Sequence, residues 1–229
     1  MPPTPDRGAA PTPDRLTVPY GPDVVAELEV KRSRFITWLR RAGDEAEARR
    51  LLADARETFP DARHHCSAWV ISVPDAQPLW HSSDDGEPSG TAGRPMLDVL
   101  VGSGLTDVAV VVVRYFGGTL LGTGGLVRAY SEAVSGALAL APRVRLVSSA
   151  LWRVTLPHAE AGRVEAELRD RGILVHDIAY GAAGVELVLA DNDADGLAAT
   201  LAALTRGTGV LQPAGRTVTE RPVRAGAAE

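Results

Sequence analysis

The chain has 229 residues, 45% hydrophobic and 23% charged, the balance of a soluble globular protein with room for one large domain or two small ones. A formal net charge of −5 and a pI near 5.6 exclude a surface coated in basic residues for tight nucleic-acid binding, though not a local basic stripe. The single cysteine, Cys66, excludes an intramolecular disulfide and a Cys-rich zinc site, and the longest apolar run, VAVVVV, is far too short to span a bilayer, so a cytoplasmic location is expected.

The opening MPPTPDRGAAPTPDR is Pro-rich with mixed charge and lacks the apolar core of a signal peptide, which predicts a disordered tail through residue 19. VVAELEVKRSRFITWLRRA alternates and is rich in β-branched residues, the pattern of two strands or one bent hairpin. GDEAEARRLLADARETF has helical spacing, with Ala48, Leu51, Leu52 and Ala55 on one face and Asp44 and Glu45 at the electropositive end. HHCSAWVISV reads as a strand. SDDGEPSGTAGRP reads as an acidic, glycine-rich loop, and RPMLDVLVGSG as a short helix ended by Gly102 or Gly104. TDVAVVVVRYF is apolar on both faces, hence a central buried strand, and GGLVRAYSEAVSGALALA is a helix stopped by Pro142.

A second pattern follows. SALWRVTLPH, AEAGRVEAELRDRG, ILVHDIAYG, GVELVLAD, NDADGLAATLAALTRG and GRTVTERPV give strand-helix-strand-strand-helix-strand, the order of a ferredoxin-like sandwich. The expected fold class is α+β. A domain over 20–142 is followed by a ferredoxin-like domain over 143–220, with a short tail over 221–229.

The chemistry-bearing residues gather around two segments. Gly117, Gly118, Gly122, Gly124 and Gly125 lie between the valine strand and the next helix, where unbonded helix amides could meet an anion; the same glycines equally suit a tight turn. The spacing matches neither a P-loop, which would need Lys where Thr123 stands, nor G-x-G-x-x-G, which would need Gly where Val127 stands. Arg114 and Arg128 flank the loop and could bind a phosphate or carboxylate, or clamp Asp84, Asp85 or Glu87. Those three carboxylates could hold a divalent cation, work as acid and base, or form a solvated turn. His64 could turn toward this loop and bond a carboxylate, whereas Cys66 suits a buried apolar role. Tyr115 and Phe116 sit beside the glycines, with core packing as the expected role for both.

HCSAW, SDDGEPSGTAGRP and VVRYFGGTLLGTGGLVRAY resemble the IMPACT/YigZ family, and KRSRFI fits its opening strand. The likeness runs from about Tyr20 to Gly215, by element order alone in the last third. It implies an N-terminal ribosomal-protein/GHMP-kinase-like α/β domain, a ferredoxin-like C-terminal domain and a role near translation. Eukaryotic relatives regulate translation by binding a partner of a stress kinase. Carried over residue by residue, the family pattern falls on His64, Asp84, Asp85, Gly86, Glu87, Arg114, Gly117, Gly118, Gly122 and Gly125.

The resulting expectation is a binding or regulatory protein that contacts RNA, a ribosome or a translation-related protein. Arg114, Gly117, Gly118, Gly122, Thr123, Gly124, Gly125 and Arg128 form its anion- or ligand-binding set. Asp84, Asp85 and Glu87 form its acidic loop, and His64 and Arg94 support it. No catalytic residue, metal or cofactor is assigned. The alternative is an enzyme acting on a small phosphorylated ligand or nucleotide with a divalent metal such as Mg2+.

Overall fold

The computed structural model describes residues 14–73 and 76–223. They divide into two compact units, one over Arg15–Arg145 and one over Leu146–Glu220. The protein is a two-domain, mixed α+β molecule with antiparallel sheets.

The N-terminal unit holds β1 (Arg15–Thr17), β2 (Val24–Val30), β3 (Ser33–Arg41), α1 (Glu45–Thr58), β4 (His64–Ile71), β5 (Leu79–Ser83), α2 (Gly93–Gly102), β6 (Val108–Tyr115) and α3 (Gly122–Leu140). Its sheet has the order β2-β3-β6-β4-β5, with antiparallel pairing at every step. The valine run is the central strand, as its two-sided apolar character predicts. Ala109, Val111 and Val113 pack with Leu51 and Ala55 of α1. Val108, Val110 and Val112 pack with Met96 and Leu100 of α2 and Leu126, Tyr130 and Val134 of α3. Helices on both faces therefore bury an antiparallel strand as fully as a parallel one. Asp44 caps α1 by accepting the Glu47 amide at 2.7 Å.

The pairing gathers four connections at one end of this sheet. Val30 pairs with Ser33, Arg34 with Tyr115, His64 with Arg114, and Ser67 with Ser83. The β2–β3 turn, the loop after β6, the start of β4 and the loop after β5 therefore share that end.

The C-terminal unit carries β7 (Val144–Leu156), α4 (His158–Asp170), β8 (Leu174–Gly181), β9 (Gly184–Ala190), α5 (Ala194–Thr205) and β10 (Gln212–Pro222). Strand order β10-β7-β9-β8, antiparallel at β7/β9 and β9/β8, is that of a ferredoxin-like βαββαβ sandwich. Val154, Leu156, Leu187 and Leu189 face Val164 and Leu168 of α4 and Leu197 and Leu201 of α5.

Two expectations change, and one strand is added. Residues 1–13 and 224–229 lie outside the described residues, but the tail expected through residue 19 is ordered from Arg15, where β1 forms and Val18 is buried. Leu16 bridges Leu105, and its carbonyl accepts the Thr106 amide at 2.9 Å. β5 forms over residues to which the sequence reading assigned no element. α3 begins at Gly122, two residues before the expected start at Gly124, so Gly122 and Thr123 join Gly124 and Gly125 in its first turn and are not part of a free loop. Among the described residues no helix is long and apolar enough to cross a membrane.

Candidate functional site

The acidic segment begins with a tight turn. Asp85 and Gly86 both have positive φ, 41° and 87°, and the Glu87 amide donates to the Asp84 carbonyl at 3.0 Å. This is the two-residue Asp-Gly pattern of a type I′ turn. Each of its carboxylates then finds a partner within the fold. Asp84 accepts the amides of Gly90, Ala92 and Gly93 at 2.7, 2.9 and 2.9 Å. It thereby supplies the start of α2 with the acceptor that Ala92 lacks. Asp85 accepts the His65 amide at 2.6 Å and the Arg56 guanidinium at 2.8 Å. Glu87 accepts Arg114 Nη1 at 2.6 Å and the Tyr130 hydroxyl at 2.7 Å on the same oxygen.

The Glu87–Arg114 pair is deeply buried, with side chains 3% and 7% exposed. The Arg114 guanidinium also stands 5.5 Å from the Phe35 ring centroid and 5.8 Å from that of Phe116. Cys66 Sγ lies 3.0 Å from the Asp84 carbonyl oxygen and 3.4 Å from the Tyr130 hydroxyl. Burial pushes this thiol up to about 12, which leaves it without nucleophilic character at neutral pH. Burial, then Cys66 and Glu87, likewise push Tyr130 upward, so its hydroxyl stays a donor.

Burial alone would raise the Asp84 pKa, but three backbone amides outweigh it and hold the carboxyl below its ordinary value. A depressed folded pKa contributes stability that is complete above the unfolded value, about 3.9, and is lost as pH falls through the folded one. Denaturant midpoints measured from pH 6 down to pH 2 should therefore fall less steeply in Asp84→Asn than in the natural chain. Parallel slopes would contradict this account.

The structure thus makes the acidic loop a clamp within the fold. Arg114 takes the clamp role, with Glu87 as its partner. His64 reaches the loop, but its Nδ1 donates to the Asp85 carbonyl at 3.0 Å and not to a carboxylate, because the Asp85 side chain is turned to Arg56 and the His65 amide. Arg94 pairs with Asp98 at 2.8 Å along the exposed face of α2. Arg128 and Thr123 are exposed on α3. Among the described residues no three His, Cys, Asp or Glu side chains gather as a metal set.

A cleft of about 450 Å³ opens beside this clamp, lined by Asp61, Arg63, His64, Arg114, Tyr115, Phe116 and Leu120. Phe116, expected in the core, is 55% exposed, and Leu120 is almost fully exposed. The Tyr115 hydroxyl donates to Asp61 at 2.7 Å. Arg63 has no carboxylate partner among the described residues, and the buried Arg114 Nε has no acceptor. Gly118, at φ 81°, turns the chain between Phe116 and Leu120. α3 starts just beyond, at Gly122, with Leu121 at its N-cap position and no side-chain cap. Arg63 and Leu120 were assigned no role from the sequence, and Phe116 and Tyr130 were read as packing residues, which holds for the buried Tyr130 and not for Phe116. Only Phe116 carried a signal, as an aromatic just past the strand end, where alternation no longer dictates burial.

Residues 31–138 match the Impact N-terminal domain, and residues 154–208 match a domain of unknown function, DUF1949. The chain is 52% identical over 121 residues to the IMPACT family member YigZ of Escherichia coli (strain K12), covering 53% of this chain and 59% of that protein. It is 46% identical over 142 residues to an IMPACT family member of Haemophilus influenzae, covering 62% of this chain and 69% of that one. To YvyE of Bacillus subtilis (strain 168) it is 41% identical, covering 67% and 70%. The crystal structure of a hypothetical protein is similar at a TM-score of 0.56 and 38% identity, covering 86% of this chain and 96% of that one. With both family domains matched in sequence order on the two folded units, the chain belongs to the IMPACT family.

Proposed function

We propose that this protein is a translation-associated binding protein whose cleft takes single-stranded RNA, as presented by a ribosomal loop. One observation carries the reading: exposed Phe116 stands in the same cleft as Arg63, His64 and the buried Arg114. An exposed ring offers a stacking platform for a base, and guanidinium groups offer donors to phosphate. With its Nδ1 proton donated to the Asp85 carbonyl, the His64 imidazole presents Nε2 as an acceptor, suited to a ribose hydroxyl or a base amino group. The overall acidity argues for a local interface and not for a nonspecific coat. The role near translation is what the family resemblance implies. The reading needs no divalent metal, because Asp84, Asp85 and Glu87 are already engaged within the fold.

Fluorescence anisotropy with labelled single-stranded RNA across a salt series tests it. Affinity should fall with salt, by about 0.7 log unit per log unit of salt for each phosphate contacted. Phe116→Ala should weaken binding by roughly 5- to 150-fold, the loss of about 1–3 kcal/mol of stacking. Absence of RNA binding in the natural chain, with binding of a translation-related protein instead, would overturn the RNA reading.

A further inference from the structure

The β2–β3 connection is a two-residue turn in which Lys31 and Arg32 both have positive φ, 49° and 67°. Such turns favour Asn-Gly, since residues with a Cβ are strained there. Two exposed cations occupy it instead. Strain held at a surface position calls for a reason outside folding.

The turn is fixed against the cleft's own loop. Arg32 Nη2 donates to Thr119 Oγ1 at 3.2 Å, and the Gly117 amide donates to Ser33 Oγ at 3.1 Å. Gly117 and Thr119 bracket the chain between Phe116 and Leu120, so the turn stands on one side of the exposed apolar pair. His64, the first residue of β4, and Arg63 just before it stand on the other, because β6 lies between β3 and β4.

The charges around this unit are unevenly spent. Arg15, Arg34, Arg40, Arg49, Arg50, Arg56, Arg94 and Arg114 each meet a carboxylate. Lys31 and Arg63 have no such partner among the described residues, and Arg32 is bonded to a hydroxyl alone. Cations left unneutralised in an acidic protein therefore flank Phe116 on both sides.

Building on the RNA reading above, we infer that the Lys31–Arg32 turn is a second phosphate clamp. The ligand is then a strand that crosses Phe116 with phosphates on both sides, and not a mononucleotide. The variant Lys31→Asn with Arg32→Gly tests this without endangering the fold, because it installs the turn's preferred residues while removing both cations. It should melt about 2–5 °C higher than the natural chain. It should also bind a U8 oligonucleotide roughly 10-fold more weakly at low salt, with the salt slope smaller by about 1.4, two phosphates' worth. The natural chain should bind U8 at least 10-fold more tightly than uridine monophosphate and should not bind polyglutamate comparably.

Natural-chain binding that the variant leaves unchanged in affinity and slope overturns the second clamp while sparing the cleft. Equal affinity for uridine monophosphate and U8, or for polyglutamate and U8, also overturns it. No RNA binding by the natural chain at any length sinks the cleft reading and the clamp together.

Discussion

Glu87→Ala is expected to destabilise the N-terminal unit by about 3–5 kcal/mol, because it strands a guanidinium that the fold has already taken out of water. Arg114 is 7% exposed, and among the described residues Glu87 is its one carboxylate partner. Two aromatic rings at 5.5 and 5.8 Å are a weak substitute for a charge-assisted bond of 2.6 Å. The same deletion removes the acceptor of the Tyr130 hydroxyl, which is then left with Cys66 as its neighbour. Three segments lose their shared fastening at once: the acidic loop, β6 and α3. Unfolding of this unit can be followed by tryptophan fluorescence in a Trp152→Phe background, since Trp38, Trp69 and Trp80 all lie within Arg15–Arg145.

The double variant Glu87→Leu with Arg114→Met separates charge stranding from simple loss of packing. Removing both members of a buried pair and refilling the space is often near neutral. The double variant should therefore unfold at a higher denaturant concentration than Glu87→Ala. If it is less stable, the large single-variant effect arises from loop packing and not from the uncompensated charge.

This buried clamp shows where sequence reading stops. Short, continuous apolar runs in HHCSAWVISV and VAVVVVRYF identified β4 and β6, and helical spacing identified α1, because the run length and period of apolar residues record which faces are buried. The order of elements after Pro142 gave the ferredoxin-like sandwich for the same reason. β5 escaped because LWHSS is five residues at a sheet edge, where one side stays open and alternation weakens. Asp84 looked like a free ligand because a sequence does not display main-chain amides, and it is amides that consume it. Glu87, Arg114 and Tyr130 are 27 and 43 positions apart in their bonds, and no local pattern couples residues at that range. The two glycine-bearing segments do meet, as their composition suggested, but through an ion pair inside the protein and not around an open anion.

Gly117→Ala should be the most damaging change of a single methyl group in the loop after β6, costing about 3 kcal/mol or more, at the upper end of overpacking effects. The reason is space and not conformational freedom. Gly117 is absent from the residues with positive φ, whereas a Cβ on it would stand inside contact distance of the Arg32 carbonyl group and the Ser33 nitrogen. Those atoms are backbone in a turn already strained at Lys31 and Arg32, so they cannot yield as the tip of a flexible side chain would. The added methyl would also part the Gly117 amide from Ser33 Oγ, leaving the buried Ser33 hydroxyl without that bond.

Gly118→Ala provides the internal comparison. Its φ is 81°, but nothing lies within 4 Å of the new Cβ, so only the left-handed backbone penalty of about 1–2 kcal/mol applies. Denaturant midpoints should rank the natural chain above Gly118→Ala and Gly118→Ala above Gly117→Ala. Hydrogen exchange at the position-117 amide should speed up strongly in Gly117→Ala and little in Gly118→Ala. The reverse ranking would show that the loop depends on the positive φ of Gly118 more than on the close approach of two backbones. The β2–β3 turn would then not be held against the cleft by the Gly117 contact.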